Sequence, residues 1–269
     1  MNRFLKFTLA AGTAVVLTVA VTPVRATTYA GNGSTSFAGP MGNGSLTVTN
    51  DGYDFAAGNG YVDFSYALSG NSLAGWENNI IIFIDNGNAN GITNTEQTYS
   101  ANSTDGGLCS VTQNNAQGSY NYFSFGGLMA PEYAIEMDWH GYGQIYSELG
   151  TAPFQPSSID GVSPGNTSGG GLSYNVSGDT CSINIPVSEI GLSLNTVQNI
   201  TLASIGVNGQ GNNASQEGTE TINGSYGYNA NQTLGSVDTF QVVPEPSSLM
   251  LLLGSSAFGS FYLMRRRRK

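Results

Sequence analysis

Hydrophobic and polar residues alternate along three short segments of the chain, with the period of two that is typical of a β-strand exposed on one face. In residues 61–68 and 181–187, the positions predicted to face the core are Val62, Phe64, Tyr66, Leu68, Cys181, Ile183 and Ile185. In residues 132–139, the alternation places on a core face Tyr133, Ile135, Met137 and Trp139. The opposite face of that segment is predicted to meet solvent and carries Ala134, Glu136 and Asp138.

A continuous apolar run, NIIIFID at residues 79–85, predicts a central strand that is covered on both sides. Further strands are predicted at residues 45–50, 120–125, 200–207 and 236–242, and one helical turn at residues 186–192. Clusters of Gly, Asn and Ser separate these segments, and the longest irregular stretches are residues 31–44, 151–171 and 208–232. The pattern predicts an all-β fold, a two-sheet antiparallel β-sandwich of jelly-roll or immunoglobulin-like type.

Charge is distributed very unevenly along the chain. The eight basic residues lie at positions 3, 6, 25 and 265–269, and all 18 acidic residues lie between positions 26 and 264. A segment without Lys or Arg cannot clamp a phosphate with a guanidinium group, and its negative charge repels nucleic acid. The composition therefore excludes nucleic acid as a partner and favours an acidic, exported β-protein.

The first 26 residues have the organisation of a secretory signal peptide. Arg3 and Lys6 form a positive n-region, residues 7–21 form an apolar h-region, and residues 24–26 (VRA) provide a cleavage site with small residues. We predict that signal peptidase cleaves after Ala26.

An uncharged apolar segment, residues 247–264, precedes five basic residues at the C-terminal end. At about 1.5 Å per residue, a helix of this length spans roughly 27 Å, close to the thickness of the hydrocarbon core of a bilayer. The positive-inside rule keeps in the cytoplasm the basic residues that follow, Arg265, Arg266, Arg267, Arg268 and Lys269. The pattern predicts a transmembrane helix that is the only membrane attachment of the domain before processing.

Residues 243–248 (VPEPSS), the apolar segment and the arginine cluster together resemble the PEP-CTERM sorting signal, whose hallmark tripeptide corresponds to Pro244, Glu245 and Pro246. In that family, a membrane protease-transpeptidase called exosortase recognises the tripeptide and removes the tail near it. The family occurs in Gram-negative bacteria that make extracellular polysaccharide. The resemblance implies a protein that is exported through the inner membrane, transiently anchored there, and then delivered to the cell surface or the medium.

These features divide the chain into three parts. Residues 1–26 are predicted to be the signal peptide, residues 27–242 an acidic β-sandwich domain, and residues 243–269 the sorting signal.

The central domain has a second, looser resemblance. The order of three motifs, IDNGNANG, APEYAIEM and INIPVSEIGL, resembles DOMON-like sandwiches and family 9 carbohydrate-binding modules across roughly residues 63–207. This resemblance implies a sandwich whose relatives bind sugars, haem or other ligands, and it transfers no binding residue to this chain.

Cys109 and Cys181 are the only cysteines. In an oxidising compartment, an even pair of cysteines predicts a disulfide. Closing the chain between them would stabilise the fold by roughly 4 kcal/mol through the unfolded state. The alternative is a pair of buried free thiols.

Residues 85–96 (DNGNANGITNTE) partly match a calcium-binding loop, with Asp85, Asn88, Asn90 and Glu96 as candidate ligands for a weakly bound calcium ion. The match to an EF-hand is incomplete in either register of the loop. The alternative is a polar turn in which Asn and Gly adopt positive φ. No other cofactor is predicted.

Candidate catalytic residues are few. His140 is the only histidine, which is too few for a typical zinc site, and the chain has no G-x-S-x-G motif. Glu132, Glu136 and Asp138 are the nearest match to a glycosidase carboxylate pair, but any i, i+2 pair on a strand has the spacing of Glu136 and Asp138. We therefore predict no catalytic residue, and we consider Trp76 and Tyr142 candidates for stacking on sugar rings.

Together these features predict a non-catalytic, exosortase-processed surface or extracellular-matrix protein that is associated with exopolysaccharide and biofilm. Its predicted partners are exosortase, signal peptidase and exopolysaccharide. One alternative is a sugar binder that works like a carbohydrate-binding module, and another is an extracellular glycan hydrolase.

Overall fold

Short strands separated by turns build the part of the chain that the computed structural model describes. That part comprises residues 25–37, 39–54, 59–69, 79–88, 90–95, 121–139, 143–147, 149, 155–156, 172–193, 197–208 and 213–242. Its strands in chain order are β1 (Ala26–Ala30), β2 (Ser45–Asp54), β3 (Asn59–Ala67), β4 (Asn79–Asp85), β5 (Tyr122–Ser124), β6 (Tyr133–Asp138), β7 (Gly143–Ser147), β8 (Gln155–Pro156), β9 (Ser173–Ser177), β10 (Thr180–Pro186), β11 (Gln198–Asn208), β12 (Asn213–Ala214), β13 (Ile222–Gly224), β14 (Asn231–Leu234) and β15 (Asp238–Val242).

The strands form two large antiparallel sheets and one small sheet. The first large sheet has the order β1-β2-β3-β10-β9. The second has the order β12-β11-β4-β6-β7-β8, with β15 also paired to β11. These two sheets confirm the predicted all-β, sandwich-like architecture. The small sheet, β13-β14-β5, contains a parallel pair between β14 and β5 and was not predicted.

Strand β4 is the central element of the second sheet, as its apolar sequence predicts. One face of β4 contributes Ile80, Ile82 and Ile84 to the core that it shares with the first sheet. The other face contributes Ile81 and Phe83 to a second core, which includes residues of the small sheet. The second sheet is therefore covered on both faces.

The alternation predicted for β3 and β10 is also confirmed. Val62, Phe64, Tyr66 and Leu68 are buried along the first of these segments. In β10, the inward positions Cys181, Ile183 and Ile185 are buried, and intermediate exposure alternates with them up to Asn184. One face of each strand thus lines the core between the two large sheets.

The prediction of a solvent face on β6 is wrong. Ala134 and Glu136 are buried completely, because β6 lies in the doubly covered sheet and its second face packs toward the second core. Trp139 follows the expected pattern, since it is buried in the first core and makes an edge-to-face contact with Tyr66 at a ring-centroid distance of 6.3 Å.

A single helical turn follows β10, as predicted. It is a 3-10 turn spanning Val187–Ile190, and it ends at Gly191 with φ 67°. A Cβ atom on Gly191 would lie 2.5 Å from the hydroxyl of Tyr133 and 2.6 Å from the side-chain nitrogen of Asn86. Only glycine therefore satisfies both the left-handed backbone and the close packing at this position.

The two ends of the described domain lie close together. Arg25 Nη1 donates to Gln241 Oε1 in β15 at 2.8 Å, and the Arg25 carbonyl accepts the N–H of Asn50 at 2.9 Å. The predicted signal-peptide cleavage site after Ala26 therefore lies within β1, where Ala26 pairs with Thr49. Because a paired strand is inaccessible to a protease, we expect cleavage to precede the pairing of β1.

The predicted transmembrane segment and all but the last two residues of the predicted signal peptide lie outside the described residues. Both stay predictions. Within the described part of the chain, none of the helical structure could span a bilayer.

Replacing Gly191 with Ala should destabilise the domain more than replacing Gly178 with Ala. Both glycines have positive φ, but nothing lies within 4 Å of a Cβ atom on Gly178. The left-handed conformation costs either variant about 1–2 kcal/mol, and only G191A adds the contacts with Tyr133 and Asn86. Thermal unfolding followed by circular dichroism measures the difference. Equal losses in Tm would contradict the tight packing around Gly191.

Candidate functional site

Several carboxylates are buried in a domain that offers them no Lys or Arg between residues 26 and 264. The buried acidic residues of the described chain are Glu132, Glu136, Glu217 and Glu220. A buried carboxylate that is not hydrogen-bonded is costly, so each of these groups needs a neutral donor or a proton. The way each acid is satisfied indicates whether it is structural or available for chemistry.

Glu217 is satisfied by four backbone N–H groups. Its Oε1 atom accepts from Phe37 at 2.7 Å and from Gly39 at 2.9 Å. Its Oε2 atom accepts from Met41 and Gly42, each at 3.2 Å. One carboxylate thus holds the loop between β1 and β2 in place, and no oxygen is left without a partner.

Glu136 has two side-chain donors. Asn79 Nδ2 donates to its Oε1 atom, and the hydroxyl of Tyr146 donates to its Oε2 atom at 2.9 Å. The carboxylate is completely buried, whereas Asp138, its proposed partner in a glycosidase pair, is half-buried. These contacts give Glu136 a structural role in the core beside β4.

Asp85, the first candidate calcium ligand, accepts a backbone hydrogen bond at each oxygen. Its Oδ1 atom accepts the N–H of Gly87 and its Oδ2 atom accepts the N–H of Ala130, both at 2.7 Å. Asn88 and Asn90 are exposed in the same loop. In the described residues, no group of three or more acidic, His or Cys side chains is arranged to hold a metal ion. Gly87 has φ 82°, as a polar turn allows, and calcium binding stays a prediction.

Glu132 lies next to this turn. Its Oε2 atom accepts the N–H of Asn86 at 3.0 Å, whereas its Oε1 atom is buried without a hydrogen-bond partner. Burial raises the pKa of Glu132, and the nearby negative charge of Asp85 raises it further. Sequence analysis named Glu132 together with Glu136 and Asp138, but it did not show that Asn86, 46 residues away in the chain, lies next to Glu132.

Glu220 and Asp238 form an interacting pair of carboxyl groups. Glu220 Oε2 accepts the N–H of Ser204 at 2.7 Å and its hydroxyl at 3.0 Å. Glu220 Oε1 and Asp238 Oδ2 are buried without another donor. Burial raises the pKa of Glu220 to about 8, and the charge of Asp238 adds to the effect. At neutral pH, a proton held by this pair can therefore neutralise the negative charge that a Lys or Arg side chain would otherwise have to neutralise.

One exposed turn of the domain carries two tyrosines, Tyr226 and Tyr228. Their side chains are 53% and 61% exposed. The ring of Tyr226 packs edge-to-face on Phe37, with a centroid distance of 5.7 Å and an interplanar angle of 85°. Phe37 belongs to the loop that Glu217 holds.

The backbone of the tyrosine turn is tied down between the two rings. Gly227 and Ala214 exchange N–H···O bonds of 2.9 and 3.3 Å. On one side of the turn, Ser225 N donates to the Asn231 carbonyl at 3.0 Å, and Asn231 N donates to Ser225 Oγ at 2.9 Å. The turn is thus a fixed part of the fold.

Sequence analysis missed both tyrosines because residues 208–232 were predicted to be irregular. The available signal was the spacing of two aromatic residues by one glycine, SYGYN at residues 225–229. A buried strand has no need of a glycine between two aromatic residues. A turn whose middle residue has positive φ favours glycine at that position. Gly227 has φ 96° and Asn229 has φ 52°.

Cys181 is buried and has no disulfide partner among the described residues. Its Sγ atom donates to Met137 Sδ at 3.9 Å, and burial raises the pKa of the thiol. Cys109 lies outside the described residues, so the disulfide stays a prediction.

The other sequence-predicted site residues also lie outside the described part of the chain. They are the sugar-stacking candidates Trp76 and Tyr142, the calcium candidate Glu96, the histidine His140, the sorting tripeptide Pro244, Glu245 and Pro246, and the basic cluster at residues 265–269.

Residues 242–268 match the family model of the PEP-CTERM protein-sorting motif, which confirms the predicted sorting signal. This motif indicates an exported protein that is processed by exosortase. No curated protein and no solved structure matches the chain. No match therefore supports the resemblance to DOMON-like and family 9 carbohydrate-binding domains.

Replacing Glu220 with Gln should make the domain more stable at alkaline pH. The folded protein holds a proton on Glu220 between the ordinary pKa of 4.5 and about 8, whereas the unfolded chain has lost it. The stability from this proton is complete below pH 4.5 and is lost as the pH rises through about 8. We therefore expect E220Q to raise Tm by several degrees at pH 9 and to change it little at pH 4. Thermal unfolding across this range provides the measurement.

The matched control for E220Q is Asp179→Asn, which removes a negative charge from an exposed turn. D179N should follow the pH profile of the unmodified protein. A parallel loss of stability for E220Q and the unmodified protein as the pH rises from 4.5 to 8 would show that Glu220 is not the proton-holding group.

Replacing Glu217 with Gln should destabilise the loop between β1 and β2. The amide has one acceptor oxygen, and its NH₂ group would meet backbone donors where the carboxylate accepts them. Hydrogen bonds to a charged group contribute about 1.5–3 kcal/mol each, so we expect a loss of about 3 kcal/mol or more. Amide hydrogen exchange should accelerate at Phe37, Gly39, Met41 and Gly42 in E217Q and not in D179N. Unchanged protection of these four amides would refute the anchoring role.

Proposed function

We propose that this chain, an exported protein with an exosortase sorting motif at residues 242–268, is a non-catalytic surface or matrix protein that associates with exopolysaccharide. The observation that carries the proposal is the position of the motif. It begins at Val242, which is the last residue of β15 and is buried in the first core. Processing near the tripeptide would therefore leave the whole β-sandwich intact as the delivered product.

The hydrogen bonds of two buried acidic residues favour a structural role for the protein over a catalytic role. Glu136 accepts hydrogen bonds from Asn79 and Tyr146, and Glu217 accepts four from backbone groups. Carboxylates that are committed to such contacts have neither the exposure nor the free lone pairs that a glycosidase acid and base require. These contacts favour the matrix protein over the hydrolase alternative.

The charge of the delivered product supports a location in a hydrated matrix. If the cuts fall after Ala26 and before Pro244, the product has 17 acidic residues, the 18 of the chain less Glu245, and no Lys or Arg. Such a protein is soluble, repels its own copies and binds neither polyanions nor anionic lipid surfaces. A polymer partner for this surface therefore cannot be strongly anionic.

The sugar-binding alternative also has an observation in its favour. Tyr226 and Tyr228 expose more than half of their side chains on a hydrogen-bonded turn. Aromatic side chains with an exposed ring and a polar end are suited to amphipathic ligands such as sugars. This alternative is compatible with the matrix role, because a matrix protein needs a means of attachment to the polymer.

Association with exopolysaccharide can be tested by fractionating cells that produce the protein. We expect the processed protein in the polysaccharide fraction of the unmodified strain, and in the culture medium of a strain that makes no exopolysaccharide. The measurement is an immunoblot of membrane, polysaccharide and medium fractions. Equal recovery from the medium of both strains would exclude the association.

The role of the sorting tripeptide requires a separate variant. Replacing Pro244, Glu245 and Pro246 with Ala should leave the tail uncleaved and the protein in the membrane fraction. The matched control replaces the adjacent Ser247 and Ser248 with Ala. Delivery of the tripeptide variant to the polysaccharide fraction would contradict a role for the motif.

A further inference from the structure

Tyr226 and Tyr228 are exceptional among the large hydrophobic residues of the described chain. Only four such residues are exposed there, and the other two, Leu128 and Val197, are separate in the sequence. Tyrosines elsewhere in the domain, such as Tyr66, Tyr146 and Tyr174, are fully buried. Two exposed aromatic residues within three positions of one turn are a feature that folding does not require.

We propose that these two tyrosines form a binding platform for a neutral polysaccharide. The binding platform consists of Tyr226 and Tyr228, with Phe37 behind Tyr226. This proposal rests on the function proposed above, for which it gives the binding site and the class of ligand.

The platform is pre-organised. The paired N–H···O bonds between Gly227 and Ala214 fix the backbone between the two rings. Phe37 restricts the Tyr226 ring by its edge-to-face contact, and Glu217 fixes Phe37 through its backbone N–H. Because the turn is ordered before a ligand arrives, binding pays little of the entropy that a loose loop would lose.

The chemistry of the turn suits a sugar. The face of an aromatic ring is electron-rich and attracts the weakly positive C–H groups on the apolar face of a pyranose, and the phenol can hydrogen-bond the sugar hydroxyls. Ser225 and Asn229 flank the rings and are exposed. Tyrosine side chains on a fixed turn give a large, rigid contact area of the kind that binding loops use.

Charge decides between classes of polymer. No Lys or Arg occurs between residues 26 and 264, so this domain has no guanidinium or lysine ammonium group to pair with a uronate, sulfate or phosphate group. The acidic residues of the same region would repel an anionic chain. A neutral polysaccharide meets the tyrosines without this penalty.

Native affinity electrophoresis tests the platform. The exported, processed protein migrates toward the anode because it is acidic, and a polysaccharide in the gel retards it if it binds. We would use gels containing dextran, hydroxyethyl cellulose or galactomannan, with alginate as the anionic comparison. Retardation is expected in at least one neutral gel and not in alginate.

Variants assign the binding to the rings. Tyr226→Ala and Tyr228→Ala should each weaken binding about tenfold, the factor that corresponds to about 1.4 kcal/mol. The double Phe variant keeps both rings and should retain most of the affinity. Leu128→Ala and Val197→Ala are matched controls at the other exposed hydrophobic positions and should bind like the unmodified protein. Thermal unfolding should change little in these variants because the side chains are largely exposed, and the largest loss is expected for Tyr226→Ala, which removes the contact with Phe37.

Three binding results would overturn the platform. They are no retardation in any neutral gel, undiminished retardation of the double Ala variant, and tighter binding to alginate than to the neutral polymers. Self-association that the double Ala variant abolishes, without retardation by glycans, would also overturn it and would assign the turn to contact between copies of the chain.

The outcome is separable from the fractionation test. If the protein is found with exopolysaccharide and the tyrosine variants bind normally, the platform is wrong and the matrix role stands. If the tyrosines bind neutral glycan and the protein is never found with exopolysaccharide, the platform stands and the matrix role fails.

Discussion

The four hydrogen bonds to the Glu217 carboxylate show the constraint on which the rest of this domain depends. The domain has many acidic residues and, between residues 26 and 264, no Lys or Arg, so a buried carboxylate cannot be neutralised by an ion pair. Glu217 is stabilised by backbone N–H groups and Glu136 by an amide and a phenol. Glu220 is stabilised by a proton, since burial raises its pKa to about 8. The hydrogen bonds of Glu217 and Glu136 link segments that are distant in the chain, and these two acids thereby act as cross-links.

The doubly covered second sheet gives these cross-links their positions. Strand β4 packs toward the first sheet with one face and toward the small sheet with the other. The small sheet, through β13 and β14, holds the turn that carries Tyr226 and Tyr228. Glu217 lies just before β13 and holds the loop that carries Phe37. The exposed aromatic turn is therefore supported by the buried acid.

The local sequence pattern predicted much of the fold but little of the candidate site. Alternation in β3 and β10 predicted their buried faces, because one side of each strand meets a single core. In β6 the same reasoning failed for Glu136, since the period of two reports which residues share a face and does not report what covers the second face. The candidate site shows the same limit. Asp85 was a plausible ligand by sequence, yet its oxygens accept N–H groups from Gly87 and Ala130, and Ala130 is distant in the chain.

The sequence by itself determined the class of the fold, the sorting signal and the sign of the surface charge. These depend on period, on a contiguous motif and on composition, all of which are local or additive properties. Only the tertiary structure decided that Glu136 is buried, that Glu132 adjoins the Asp85 turn, and that Tyr226 and Tyr228 remain exposed on a fixed turn. Those outcomes depend on which distant segments pack together, and on whether a buried polar atom finds a donor there. Long-range packing of this kind leaves no periodic signal in one chain.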